Sequence, residues 1–317
     1  MAVEKVKLCV LASGGDAPGM NACIEAILDY ASDKGAEVWV ARNGFNGIID
    51  EDLVQLSMAR MTGISNRSGC VFKCGRAPRI MEKDGFWKLV NNFKKHAFTS
   101  LICLGGNGSS IGCGRLKSAG VPVIVIPATI DNDVPFTNHA LGFSSACETS
   151  ANLVDMLRAT METFNRDHVV QFMGRSCSAL TTRVGLACFA DIIDINENRH
   201  TPKQVADIFR ANRANGKPSS YMVMQERVGG DQIAELERSI EFMREVRKEM
   251  GHDNIAFNSL GYLQRGAEPS CYDRFLATLY GRAAVDCTLG KKFGIGLAVT
   301  NGVVRNVELP VDKIPMV

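Results

Sequence analysis

The sequence predicts an α/β fold of mainly parallel sheets flanked by helices. Three observations carry this expectation. Short apolar runs rich in Val, Ile and Leu alternate with longer amphipathic stretches, the order of a parallel sheet and its crossover helices. Most of the runs are continuously apolar rather than alternating, which suits strands covered on both faces. No internal repeat and no low-complexity linker divides the chain, so two lobes would have to share strands or crossings.

In chain order, Val6–Ala12 is the first expected strand, and the amphipathic Asn21–Lys34 is the first helix. Ala36–Ala41 follows as a strand, then the helix Gly85–Lys95 and the strand Ser100–Gly105. Pro122–Pro127 is a fourth strand, leading to the helix Ser145–Glu162 and the strand His168–Gly174. Pro202–Asn212 reads as a helix because Thr201 and Gln204 form a capping-box signal ahead of it. Ser219–Gln225, Gln232–Met250, Asn258–Gln264, Cys271–Leu289 and Ile295–Thr300 complete the alternation as strand, helix, strand, helix, strand.

At 317 residues, length alone suggests about two domains and a core large enough to need no disulfide or metal staple. With 46% apolar residues the chain is not disordered, and its glycines follow no collagen period. Net charge is 36 − 34 = +2 with basic residues scattered, which gives no nucleic-acid footprint. No apolar run reaches bilayer length, so no membrane is expected. Met1–Ala12 lacks the apolar region and cleavage site of a secretory leader, so the expected location is the cytoplasm. Eleven cysteines is an odd number, several of them lie inside apolar runs, and no C-x-x-C pair occurs. They read as small reduced hydrophobes, against the rival reading of a metal or redox cluster.

Three loops leave the C-terminal ends of expected strands, where ligands bind in open α/β sheets. Ser13-Gly14-Gly15-Asp16-Ala17-Pro18-Gly19-Met20-Asn21 joins the first strand to the first helix. Its glycines let bare backbone approach an anion at a helix N-terminus, which favours a phosphate loop over a simple tight turn. Gly105-Gly106-Asn107-Gly108-Ser109-Ser110 is expected to be a second such turn, a weak signal by itself. Pro127-Ala128-Thr129-Ile130-Asp131-Asn132-Asp133 is the third. In extended geometry Asp131 and Asp133 would share a face, beside Thr129, and suit general-base work or magnesium. An Asx turn explains the same residues equally well. Arg166, Arg175 and Arg265 flank further strand ends and suit phosphate recognition, although a lone arginine is usually a surface ion pair. His168 reads as structural and Met173 as core.

This set of loops resembles the phosphofructokinase family. The residues that carry the resemblance are Gly14–Asn21, Gly105–Ser109, Thr129–Asp133, Met173-Gly174-Arg175, Gln264-Arg265-Gly266 and Tyr272-Asp273-Arg274. They occur in the family's order and spacing from near residue 6 to near residue 300. The resemblance implies a two-lobed fold, with a larger phosphoryl-donor lobe of 1–145 plus 256–305, a smaller sugar-phosphate lobe of 146–255 and a tail of 306–317. It implies transfer of the γ-phosphoryl of ATP, with Mg2+, to the 1-hydroxyl of fructose 6-phosphate in glycolysis. It also implies a homodimer or homotetramer with shared active sites.

The resemblance assigns Asp131 as general base, supported by Thr129 and Asp133, with Arg175 neutralising the transferred phosphoryl. Gly14, Arg76, Gly106, Asn107, Gly108 and Ser109 would hold donor phosphates. Arg166, Met173, Gly174, Glu226, Tyr262 and Arg265 would hold the sugar phosphate, with Arg166 reaching across from a neighbouring subunit. Asn107 and Asp133 are the implied magnesium ligands.

The sequence also departs from the family pattern. Asn107 replaces an aspartate near magnesium, and Ala77 replaces an aromatic that lies against adenine. Tyr262 stands for a sugar-phosphate histidine and Ala256 for a second subunit-crossing arginine. Lys73, Arg79 and Arg227 are the nearby cations that could compensate. Glu25 and Asp29 replace two arginines of the effector site, from which Arg158 and Lys217 remain. Gly108 and Ala128 are small where pyrophosphate users carry aspartate and lysine, so ATP is the expected donor. The rival readings are a pyrophosphate-dependent enzyme, a kinase of another sugar or sugar phosphate, and a non-catalytic regulatory member. Retention of Asp131 and Arg175 speaks against the last.

Overall fold

A computed structural model describes residues 5–227, 232–300 and 302–310. The strands are β1 (Lys7–Ser13), β2 (Glu37–Ala41), β3 (Leu53–Gln55), β4 (Ser100–Gly105), β5 (Val123–Pro127), β6 (Asp167–Phe172), β7 (Ile192–Asp194), β8 (Tyr221–Gln225), β9 (Ile255–Ser259), β10 (Ile295–Thr300) and β11 (Val303–Glu308). One sheet has the order β11-β10-β5-β4-β1-β2-β3 and the other β7-β8-β6-β9. The first is parallel except at its two edges, where β3 and β11 run antiparallel to β2 and β10. Every pairing in the second is parallel.

The continuous apolar runs become the central strands. All of β4, β5, β6 and β8 is buried, because helices cover both faces of a parallel sheet. Cys9, Leu11, Cys103, Val123 and Val125 pack against Phe45, Phe86 and Phe93 in one core. Val169, Met222, Met224 and Ile255 pack against Phe209, Phe242 and Val246 in another. The helices Met20–Asp33 and Cys271–Leu289 approach closely at Gly281, where a Cβ would stand 3.0 Å from that of Ala26. The Thr201–Gln204 capping box opens the helix Pro202–Ala214 as expected.

Compact packing divides the chain into Met1–Ser145 with Arg265–Val317, and Ala146–Gln264. The sequence placed the second boundary at 255/256. Here β9 is parallel to β6, with Ala256 opposite His168, so the chain through Gln264 packs with the second unit. The expected strand Asn258–Gln264 shifts to Ile255–Ser259, because a 3-10 turn follows at Gly261–Leu263. The expected tail at 306 begins later too, since β11 pairs with β10 through Glu308; residues 311–317 lie outside the described residues.

The eleven cysteines are thiols, and burial pushes those of Cys9 and Cys23 well above the ordinary range. Among the described residues there is no cluster of three or more His, Cys, Asp or Glu able to hold a metal ion. Nor is any helix among them long and apolar enough to cross a membrane.

Candidate active site

In the first unit, β5, β4 and β1 lie side by side and parallel, so the three loops leave the same edge of the sheet. Gly14 adopts φ 89, a left-handed conformation that glycine takes without steric penalty. Its N–H donates to the Gly75 carbonyl at 3.2 Å, and Gly75 bridges Ser13, which brings the exposed Arg76 beside the loop. Gly19, at φ 90, ends the loop at the helix Met20–Asp33.

The second loop differs from expectation. Asn107-Gly108-Ser109 is not a turn but the first turn of a helix, Asn107–Ser118. Its leading N–H groups have no partner within the helix, so the anion site expected of glycine-rich backbone becomes a helix N-terminus. The three loops crowd together. A Cβ on Gly14 would stand 3.6 Å from Ser109 Oγ, and one on Gly106 would stand 3.3 Å from Thr129 Cβ. A Cβ on Gly108 would meet nothing within 4 Å. Ala77 packs into the apolar core with Phe45 and Ile80 instead of facing open surface.

Asp131 is 9% exposed and Asp133 half-buried. The Asp131 N–H donates to Thr129 Oγ1 at 3.2 Å. The extended alternation expected between Asp131 and Asp133 is broken at Asn132, which has φ 54. Asn132 takes the turn's bonds itself: its Nδ2 donates to the Asn138 carbonyl at 3.2 Å, and its Oδ1 accepts the Ala140 N–H at 2.8 Å. The expected Asx turn is not what forms: Asn132 bonds backbone six and eight residues on, and the local bond two residues apart runs from the Asp131 N–H to Thr129.

Arg265, assigned from the resemblance to the sugar phosphate, lies against the first loop. A Cβ on Gly15 would stand 2.8 Å from its guanidinium carbon, and its Nη1 is 4.0 Å from Asp16 Oδ1. Asp273 is wholly buried and structural. It accepts the N–H groups of Gly142 at 3.0 Å and Ser145 at 2.7 Å, and the Ser145 hydroxyl. Burial pushes its carboxyl up.

In the second unit, Met173-Gly174-Arg175 follows β6 and Glu226 follows β8. The two loops are joined by one carboxylate oxygen: Glu226 Oε1 accepts the N–H of Gly174 at 3.2 Å and of Arg175 at 2.7 Å. Burial pushes the Glu226 carboxyl above the ordinary glutamate range, while the two amides pull the other way. The Met173 N–H donates to Gln264 Oε1 at 2.8 Å. Asn196, Arg199, Asp194 and Gln225 also belong to this network, and the motif reading named none of them. Their only sequence signal is an unusual density of Asn, Asp and Arg in the loop after β7.

Arg166 is elsewhere. It precedes β6, at the opposite end of that strand from Gly174, and its Nε donates to Asn254 Oδ1 at 3.0 Å. A strand of this length separates the two by about 20 Å. Tyr262 sits in the 3-10 turn after β9 with 60% of its surface exposed. Of the possible compensating cations, Arg79 is held by Asp50 at 2.7 Å and Arg227 by the buried Asp194 at 3.4 Å. His168 is 1% exposed and stacked on Tyr221 at 5.4 Å, and burial lowers its pKa to about 4. It is a neutral core residue.

Of the residues that the resemblance places at an effector site, Glu25, Lys217 and Arg158 are each engaged within their own unit. Glu25 Oε1 accepts the Gly63 N–H at 3.2 Å. Lys217 pairs with Asp191 at 2.5 Å, and Arg158 donates to the Cys188 carbonyl at 3.2 Å while lying over the Tyr221 ring.

A sequence profile described as phosphofructokinase matches residues 7–288. The ATP-dependent 6-phosphofructokinase of Lactobacillus delbrueckii subsp. bulgaricus is 34% identical over 303 residues, covering 96% of this chain and 92% of the relative. That of Lactobacillus acidophilus is 36% identical over 296 residues, with 93% and 90% coverage. The phosphofructokinase structure of Saccharomyces cerevisiae superposes with a TM-score of 0.86 at 24% identity, covering 96% of this chain and 45% of the yeast chain, less than half of its length. The chain belongs to the phosphofructokinase family.

Proposed function

We propose that this phosphofructokinase-family chain is an ATP-dependent 6-phosphofructokinase, making fructose 1,6-bisphosphate from fructose 6-phosphate. The observation that carries the reading is the convergence of Gly14, the Asn107–Ser109 helix N-terminus and the Thr129–Asp133 turn on one sheet edge. Backbone N–H groups there, with Arg76, suit the phosphates of the donor. Asp131 accepts the proton of the attacking hydroxyl, its backbone held by Thr129. Arg175 neutralises charge on the transferred phosphoryl, and Glu226 holds an acceptor hydroxyl. The open space at Gly108, where an added Cβ would meet nothing within 4 Å, supports ATP over pyrophosphate as donor.

Mg2+ fits a donor set of the Asp133 carboxylate and the exposed Asn107 amide oxygen, since this ion keeps several waters and is shared with substrate phosphates. Bound with ATP, it would offset phosphate charge. Arg166 cannot join the Glu226 cluster of its own chain, because the length of β6 lies between them. A neighbouring copy's Arg166 meets that need, so the working form is a homodimer or homotetramer with shared sites, acting in the cytoplasm.

A coupled assay tests the reading, with fructose 6-phosphate and a panel of sugars and sugar phosphates, each with ATP and with pyrophosphate. Turnover of fructose 6-phosphate with ATP is expected. Turnover with pyrophosphate alone, or no turnover of any acceptor, overturns it.

A further inference from the structure

Arg175 has φ 51, a left-handed conformation that costs a residue with a side chain about 1–2 kcal/mol. Such a conformation persists only where the surroundings over-determine it. Here the peptide groups on both sides of the residue are clamped. Its N–H goes to Glu226 Oε1 at 2.7 Å. Its carbonyl accepts from Gln225 Nε2 at 2.8 Å and from Asn196 Nδ2 at 3.4 Å. The Gln225 side chain is itself anchored, its Oε1 accepting the Asn196 backbone N–H at 3.0 Å.

One guanidinium gathers these pieces. Arg199 Nη1 donates to Asp194 Oδ2 at 2.8 Å and to the Gln225 carbonyl at 2.9 Å. Its Nη2 donates to Asn196 Oδ1 at 2.5 Å and to the Glu226 carbonyl at 3.2 Å. Asp194 is 0% exposed and is anchored further by the His200 N–H at 2.6 Å and by Arg227 at 3.4 Å. A planar fork with several fixed donors can serve four acceptors at once; the compact ammonium of a lysine cannot do so in this spread. The Arg175 side chain itself is exposed, so the network pins the backbone and leaves the guanidinium to work.

We propose that Arg199, seated on Asp194, is a positioning residue for phosphoryl transfer. It fixes the Gln225–Glu226 backbone and the Asn196 amide, and through them the Arg175 turn and the Glu226 carboxylate. The proposal rests on the reading above that Arg175 meets the transferred phosphoryl. Arg199 itself touches no substrate. It acts by holding two reacting-site groups to the tolerance phosphoryl transfer requires, where a misplacement of about 1 Å costs about 10²-fold in rate.

The test is a double-mutant cycle on the full-length enzyme, with Arg199→Ala, Arg175→Ala and the pair. Arg199→Ala is expected to lower kcat by about 10- to 100-fold, with KM for ATP within about two-fold of wild type. In the Arg175→Ala background the same change should cost kcat no more than about three-fold, because the share of the loss that runs through the Arg175 guanidinium is gone and only the share through Glu226 is left. Arg199→Lys should recover little, and guanidinium added to Arg199→Ala should recover part of the rate. Thermal melts report folding. Should Arg199→Ala not fold, Asn196→Ala takes its place: it is expected to show a several-fold loss of kcat with the same non-additivity. Equal losses in the wild-type and Arg175→Ala backgrounds, or wild-type activity of the Arg199 or Asn196 variant, overturn the proposal. Wild-type activity of Arg175→Ala alone overturns the underlying reading, a separate failure because Arg199 does not enter that comparison.

Discussion

The glycine-rich loops of the first unit, proposed to hold the donor, and the Arg175–Glu226 clamp of the second, proposed to hold the acceptor, are built in opposite ways. The first is built mainly of backbone: the helix opening at Asn107 offers its leading N–H groups, and the Gly14 and Asp131 N–H groups, tied to Gly75 and Thr129, shape the loops beside it. The second presents side chains, where Glu226, Gln225, Asn196, Arg199 and Asp194 tie the loops after β7 and β8 to the Arg175 turn. A backbone site is written in consecutive glycines. A side-chain site is written in residues far apart in sequence, each ordinary on its own.

The largest effect expected on the first side is chemical. Asp131→Asn keeps shape and removes the proposed base, so kcat should fall by roughly 10²–10⁴ with an unchanged melting temperature. Activity within a few-fold of wild type would show that the proton leaves by another route.

On the second side, stability should depend on pH through His168. Its pKa is about 4 in the fold against 6.5 in the unfolded chain, because burial disfavours the charged ring. Between those values only the unfolded chain binds the proton, so stability rises with pH there and is lost as pH falls from 6.5 toward 4. The full loss is about 3 kcal/mol. Chemical denaturation at pH 5 and pH 7.5 measures it, with His168→Phe keeping the stack on Tyr221 while flattening the difference. An equally steep dependence in that variant would place the titrating group elsewhere.

The positions that the resemblance assigns to the sugar phosphate, spread over both units, are depleted in available charge. Arg265 lies against Gly15, Arg79 pairs with Asp50, and Ala256 and Tyr262 replace charged or ionisable residues. Each missing charge-assisted contact is worth about 1.5–3 kcal/mol, so two could weaken fructose 6-phosphate by roughly 10²-fold in KM. Ala256→Arg with Tyr262→His should recover part of that. A wild-type KM in the micromolar range would show the phosphate site to be complete already.

The smallest expected effect is none at all. Glu25, Arg158 and Lys217 are engaged within their own unit. Adding ADP or phosphoenolpyruvate should therefore leave the half-saturation for the sugar phosphate unmoved, and a clear shift would contradict this.

Much of the fold was legible residue by residue. The continuous apolar runs became β1, β2, β4, β5, β6, β8 and β10, and the Thr201–Gln204 box opened its helix. The short strands β3 and β7 were not legible, because three residues carry no period. The edge strand β11 is largely exposed and lacks an apolar run. A helix-like segment was expected after the Gly105–Ser110 turn, but its start at Asn107 was not legible, because Gly108 has low helix propensity; burial of Cys113 and Leu116 overrides that of Gly112 and Gly114.

The sequence by itself determined the parallel α/β character, the three loops at strand ends and the family to which they belong. These are local matters: a strand needs its own apolar run, and a phosphate loop its own glycines. Only the tertiary structure decided that β9 pairs with β6, that Arg265 lies on the first loop, that Arg166 stands a strand's length from Glu226, and that Arg199 braces Arg175. Each of these depends on hydrogen bonds or packing between segments tens of residues apart or more, or on the fixed geometry of a folded loop. No periodicity or motif encodes such pairings, and they exist only once each sheet has brought its own strand ends together.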